Sequence, residues 1–273
     1  MKERPESRRR EIRALTAFTL VELLVVIAII AILFGLITGG LVRGKMAAKR
    51  IACINNLRQW AGATHLYAAD NEDRLPREDA IDGINSWDMT RLPMSVDVWY
   101  NALPDISGIT RMSDYAQAPA AQQEFYSRRN IFHCPSAQFS EIAATYPNFS
   151  LAINSKLMRD FEKGVPTAAG APPPQYLSDI RAPSRTALFL DNGVPGEARL
   201  CAFQAPYTGQ PKSFASQFSG RHNRAGNIVF ADGHALTLAG KEVVEMNPTS
   251  PFRGQAIFPP IEVVWRGDPG RVP

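Results

Sequence analysis

The longest hydrophobic pattern in the chain is a run of 20 uncharged residues, Leu23 to Val42, dominated by Leu, Val, Ile and Ala. At about 1.5 Å per residue this makes ~30 Å of helix, the thickness of one bilayer core. Residues 6–75 contain no proline, so nothing in the sequence stops a helix where the run ends. Beyond it Met46, Ile54, Leu57, Ala61 and Ala68 recur mostly at intervals of three, four or seven, with Arg50, Arg58 and Gln59 off that line. This is the spacing of an amphipathic continuation. The pattern predicts one helix from about Phe18 to Asp70, roughly 80 Å long. It would be apolar all round in its first half and one-faced in its second, with Gly39-Gly40 as the place for a bend.

From Pro76 onward the pattern changes, and 20 of the 21 prolines lie there. Short β-prone runs, VDVWY (96–100), TALFL (186–190), NIVFA (227–231), HALTL (234–238) and IEVVW (261–265), are broken by Gly, Pro, Asn and Asp. They predict an antiparallel sheet with long loops, of which GVPTAAGAPPP (164–174) is the clearest. Asp232-Gly233 between two alternating runs predicts a β-hairpin over Gly226 to Leu238 with a two-residue turn, because Gly accepts positive φ and Asp tolerates it. His222 is expected to brace the approach to it. The expected fold class is α+β, a long N-terminal helix packed on a C-terminal antiparallel sheet domain. Four segments follow: 1–17, 18–42, 43–75 and 76–273.

Composition adds exclusions. With 45% apolar and 21% charged residues, the chain is neither disordered nor a bare coiled coil. Of the formal charge of +4, residues 1–17 supply six basic and three acidic groups, leaving 24 basic against 23 acidic from Phe18 onward. A body so nearly neutral lacks the basic face that a nucleic-acid partner requires. The apolar run is too long for a secretory signal and is followed by GKMAAKR, a poor cleavage site, so the helix is expected to stay with the mature protein. Glu22 at its leading edge is costly unless it finds a positive partner or reaches the interface.

Taken in order, the basic leader, Ala17, Phe18, Thr19, Leu20, Val21, Glu22 and the apolar run resemble the N-terminal processing segment of type IV prepilins and type II secretion pseudopilins. The resemblance implies a cut by prepilin peptidase between Ala17 and Phe18, followed by methylation of the new amine. It also implies that Glu22 pairs with the N-terminal amine of a neighbouring subunit, a pair in which each charge offsets the other's desolvation. Ala17 departs from the family, which prefers Gly there. On this reading residues 1–17 are cytoplasmic, the helix crosses the bacterial inner membrane once in contact with its lipid, and the body is periplasmic.

Further blocks, CINNLRQWAGATHLYAADNEDRLP (53–76), IFHCPS (131–136), YPNFSLAINS (146–155), RAPSRTALFLDNG (181–193) and GRHNRAGNIVFADGHA (220–235), resemble the prepilin-associated His-x(9)-Asp-Gly domain. Its signature falls on His222, Asp232 and Gly233. The same blocks contain Cys53 and Cys134, so the resemblance implies that a disulfide, if one forms, joins these two and leaves Cys201 as a thiol.

His222, Asp232 and His234 are candidates to approach one another, with Asp191 as a fourth metal ligand or acid–base group. No His-x-x-x-His pair, Gly-x-Ser-x-Gly elbow or phosphate-cradling loop accompanies them, and nothing singles out a nucleophile. The structural reading is therefore expected, with no catalytic residue, no metal and no cofactor. His65 and His133 read as packed or surface histidines. Trp60, Trp87, Trp99 and Trp265 read as core residues in preference to a carbohydrate-stacking patch. The expected function is a pseudopilin or minor-pilin-like subunit that meets other such subunits through its N-terminal helix. The alternative is a membrane-anchored periplasmic binding module, for a polysaccharide for example, and an anchored hydrolase comes third.

Overall fold

The computed structural model describes residues 19–79, 83–127, 130–139, 145–157 and 175–266. The expected leader with Ala17, Phe18 at the expected cut and the expected 164–174 loop lie outside the described residues. The chain divides into two compact units, Met1–Lys45 and Met46–Pro273.

The first unit holds the start of helix α1, Leu20–Asp70, which runs through Gly39-Gly40 without a break in its helical assignment. Thr19 and Glu22 build a reciprocal cap at its N-terminus. The Thr19 backbone N–H and hydroxyl both donate to Glu22 Oε2 at 2.8 Å, and the Glu22 N–H donates to Thr19 Oγ1 at 3.2 Å. This is the S/T-x-x-E capping box, which satisfies two of the helix's orphan donors. The apolar side chains from Leu20 to Phe34, with Leu41 and Val42, are exposed. Among the described residues α1 is the one helix long and apolar enough to cross a membrane.

In the second unit, the Met46–Asp70 part of α1 becomes a core element. Its buried face is Cys53, Leu57, Trp60, Ala61, Thr64 and Ala68, at helical spacing. Of the positions predicted from sequence, Leu57, Ala61 and Ala68 lie on this face, while Met46 is exposed and Ile54 half-buried; Trp60, fully buried, is its largest member. Short helices follow: α2 Trp99–Ser107, α3 Met112–Tyr115 and α4 Pro119–Phe125. VDVWY is therefore not a strand. It makes a single bridge, Arg77 with Val98, and then turns helical so that Trp99, Tyr100 and Leu103 all go into the core.

The sheet has five strands, β1 Leu151–Asn154, β2 Ala187–Asp191, β3 Lys212–Ser213, β4 Ala225–Phe230 and β5 Ala235–Ala239, in the order β3-β1-β2-β4-β5. Three pairs are antiparallel, but β3 adds to β1 in parallel, so the sheet is mixed where an antiparallel one was expected. IEVVW contributes one bridge, Val264 with Thr186, and no strand. Both faces of the central strands are covered. Leu188, Phe189 and Val229 pack with α1 and the aromatic cluster, while Ala187, Leu190, Ile228 and Phe230 pack with Phe218, Val244 and Trp265. A register shift between Ala187 and Phe189 lets the adjacent Leu188 and Phe189 share one side.

The predicted hairpin is present, with Val229 opposite Ala235. Its loop has three residues instead of two. The Gly233 N–H donates to Phe230 O at 2.8 Å, the Phe230 N–H donates to His234 O at 2.9 Å, and Gly233 alone in the loop has positive φ, at 88°. A three-residue loop ending in a left-handed glycine is the next most common hairpin connection.

Candidate functional site

Four polar side chains from distant parts of the chain converge inside the second unit. Cys53 comes from α1, and two further residues of the same helix hold the segment that carries the second. Asn56 Nδ2 donates to His133 O at 2.9 Å and Trp60 Nε1 donates to Ile131 O at 3.0 Å. These positions, i, i+3 and i+7, share one helical face. Cys134 is fixed by its own N–H, which donates to Ser150 Oγ at 2.7 Å. Asp191 closes the fully buried strand β2, and its Oδ2 accepts from the Asn227 N–H at 2.8 Å and Nδ2 at 2.9 Å. His222 sits in the tight turn before β4, where its N–H and carbonyl bracket Ala225 and where Asn223 and Arg224 both take φ of 60°.

The donor atoms meet closely. The Cys53 thiol donates to Asp191 Oδ1 at 3.0 Å, while His222 Nε2 lies 3.3 Å from Cys134 Sγ and 3.6 Å from Asp191 Oδ2. One ligand atom from each of the four falls within 4.8 Å of every other. Arg221 closes the site from outside. Its guanidinium reaches Asp191 Oδ1 at 3.4 Å and Ser150 O at 2.9 Å, and it grips Glu197 through Nε at 3.1 Å and Nη2 at 2.8 Å. Its side chain is only 5% exposed, and that of Asp191 not at all.

Burial dominates the electrostatics. It pushes the Asp191 carboxyl up to about 6, with negative charge on Cys134 adding to the rise and Arg221 and His222 opposing it. Burial first, then the Cys134 hydrogen bond and Asp191, push the Cys53 thiol up. At Cys134 burial raises the pKa, but hydrogen bonds from Cys53 and His222 and the Arg221 charge outweigh it, so the thiol lies below its usual range. At His222 burial lowers the pKa, and Cys134 and Asp191 more than reverse it. The cluster thus favours anionic sulfur at Cys134, whereas burial holds the Cys53 thiol and the Asp191 carboxyl toward their protonated forms.

His222 turns one ring nitrogen toward two partners. A relay needs the carboxylate on one ring nitrogen and the nucleophile on the other. Here both Cys134 and Asp191 face His222 Nε2. Cys53 and Cys134 are also fully covered, and both are free thiols, as is half-buried Cys201. The two cysteines that the resemblance would pair in any disulfide are neighbours here and carry free thiols.

The candidate grouping of His222 with Asp232 and His234 is not formed. The six residues of β4 stand between them, roughly 20 Å of strand. Asp232 Oδ1 instead accepts from the His234 N–H at 3.1 Å and lies 2.6 Å from His234 Nδ1, and the His234 ring stacks on Phe230, so this pair organises the hairpin loop. Asp191 does join His222. Trp60, Trp87, Trp99 and Trp265 are all buried and belong to the core. His133 is buried as well, its ring centroid 4.5 Å from Phe125 and 4.6 Å from Phe139, and burial depresses its pKa to about 3. His65 is half-buried on α1.

Sequence reasoning missed Arg221 and Asn227, and it read the two cysteines as a possible disulfide pair or as small buried apolar residues. One signal was available: the run TALFLD ends an all-apolar strand in a carboxylate, and a buried carboxylate demands partners. Compared with known proteins, the chain matches no family model, no curated protein and no solved structure.

Proposed function

We propose that the chain is a pseudopilin- or minor-pilin-like structural subunit, cut before Phe18 by prepilin peptidase, held in the bacterial inner membrane and assembled into a type II secretion or type IV pilus-like filament. The observation that carries this reading is the division of labour along α1. One helix exposes the apolar side chains of Leu20 to Phe34, with Leu41 and Val42, while its later turns supply Cys53, Leu57 and Trp60 to the body's core. Such a surface suits lipid first and the matching helices of other subunits afterwards. Glu22 at its head would guide register through a neighbouring amine.

The cap complicates the obvious test, because Glu22→Ala removes both the charge and a capping bond worth about 1 kcal/mol. Glu22→Gln separates them, since an amide oxygen keeps the acceptor without the charge. In the native host, mass analysis of the membrane-bound chain should show a methylated Phe18 start. Cysteine cross-linking between neighbouring N-terminal helices should be lost in Glu22→Gln as in Glu22→Ala. An intact Met1 start, or unchanged cross-linking in Glu22→Gln, would overturn the filament reading.

A further inference from the structure

We infer that Cys53, Cys134, Asp191 and His222 form a structural zinc site. The four offer two sulfurs, one oxygen and one imidazole nitrogen, the donor set of a borderline-soft d10 cation; magnesium and calcium take oxygen ligands only. With zinc–ligand bonds of about 2.0–2.3 Å, the edges of a tetrahedral site come to roughly 3.3–3.8 Å. The contacts of 3.0 and 3.6 Å, to Oδ1 and Oδ2 of Asp191, and of 3.3 Å between Cys134 and His222 stand near that size, and one donor atom from each residue lies within 4.8 Å of every other, so a modest contraction completes the site. Convergence of Cys134 and Asp191 on a single nitrogen of His222 is what a shared metal requires.

The surroundings fit the same assignment. Two thiolates and a carboxylate bring three negative charges against the cation's two, and Arg221 beside Asp191 offsets part of the excess while also pairing with Glu197. Arg221 and Asn227 also orient the carboxylate, the role that hydrogen-bonded outer residues play around metal ligands. With Cys53 and Asp191 wholly buried and Cys134 and His222 nearly so, all four positions come from protein and none is open to substrate. The site is a closed, structural one. A disulfide between the two cysteines uses only the sulfurs and leaves Asp191 and His222 buried without a shared cation. Binding requires both cysteines as thiolates and His222 neutral, so it releases whichever protons these groups carry and involves no electron transfer. The metal ties α1 to the 131–134 segment, the end of β2 and the turn before β4.

This inference is independent of filament assembly, because every ligand lies in the second unit and the test does not depend on Glu22. The full-length chain is purified in detergent without chelator, and its metals are measured by mass spectrometry beside Cys53→Ser and His222→Ala. The expected result is about one zinc per wild-type chain, falling at least about tenfold in either variant. To keep the unmutated fold in view, wild-type protein is stripped and reloaded with cobalt, which should give the intense visible absorption of a tetrahedral thiolate complex. The inference is overturned by a wild-type chain carrying a Cys53–Cys134 bridge in non-reducing peptide maps. It is equally overturned by reduced wild-type protein that takes up neither metal, or by zinc content unchanged in both variants.

Discussion

Removing the indole of Trp60 should come close to unfolding the body. The side chain is fully buried, with ring centroids 5.3 Å from Trp99 in an edge-on arrangement, 4.8 Å from Phe132 and 6.5 Å from Phe189. Truncating a buried aromatic to Ala costs about 3–5 kcal/mol in lost transfer energy and residual cavity. Ile131 O also loses the Nε1 donor at 3.0 Å, and an orphaned buried acceptor costs roughly 1–3 kcal/mol. Because the two losses share one site they do not simply add, and about 5 kcal/mol is expected for Trp60→Ala against typical total stabilities of ~5–15 kcal/mol. Trp60→Phe keeps a ring but no donor and should cost about 1–3 kcal/mol. The assay is denaturant unfolding of the full chain in detergent, followed by tryptophan fluorescence. All four tryptophans lie in the second unit, so Trp87, Trp99 and Trp265 report on that unit alone. A loss below about 1.5 kcal/mol for Trp60→Ala, outside the range for a filled core site, would refute the claim that α1 is a structural member of the body.

Gly233→Val should destabilise the body by about 1–3 kcal/mol through backbone strain alone. The residue holds φ of 88° but a Cβ there meets no atom within 4 Å, so Gly233→Ala and Gly233→Val should differ little in thermal unfolding; a large excess for Val would indicate a clash instead. Glu78 supplies a pH dependence, because burial raises its carboxyl to about 8, with Asp79 adding to the rise and Lys212 opposing it. Its folded pKa lies above its unfolded one, so the stability it contributes is complete below about pH 4.5 and is lost as pH climbs through 8. Chemical denaturation across that window should fall less steeply in Glu78→Gln, and parallel slopes would contradict the assignment.

What could be read from sequence was whatever depends on neighbours along the chain. The proline-free stretch and the apolar run gave α1 nearly to its observed ends, and Asp232-Gly233 between alternating runs gave the β4–β5 hairpin. VDVWY misled because β propensity describes a pleated, half-buried surface, and here Trp99 and Tyr100 reach the core from a helix instead. The parallel pairing of β3, two residues long, leaves no pattern to find. The four-residue cluster was out of reach for a different reason. Each member is ordinary in its own segment, and only the tertiary fold gives Cys53 an aspartate 138 residues away.

That separation has a consequence for how the protein is made. At ~5–20 residues per second, the ribosome needs roughly 7–28 s to add the 138 residues between Cys53 and Asp191. Throughout that interval the Cys53, Leu57 and Trp60 face of α1 has emerged without the strand that covers it. The nascent chain must therefore shelter an apolar stripe and an unprotected thiol until β2 and then β4 arrive, so biogenesis passes through an obligatory exposed stage. Holdase chaperones and local oxidants have their opportunity there, before the fold exists, and slower translation downstream of Cys53 lengthens it.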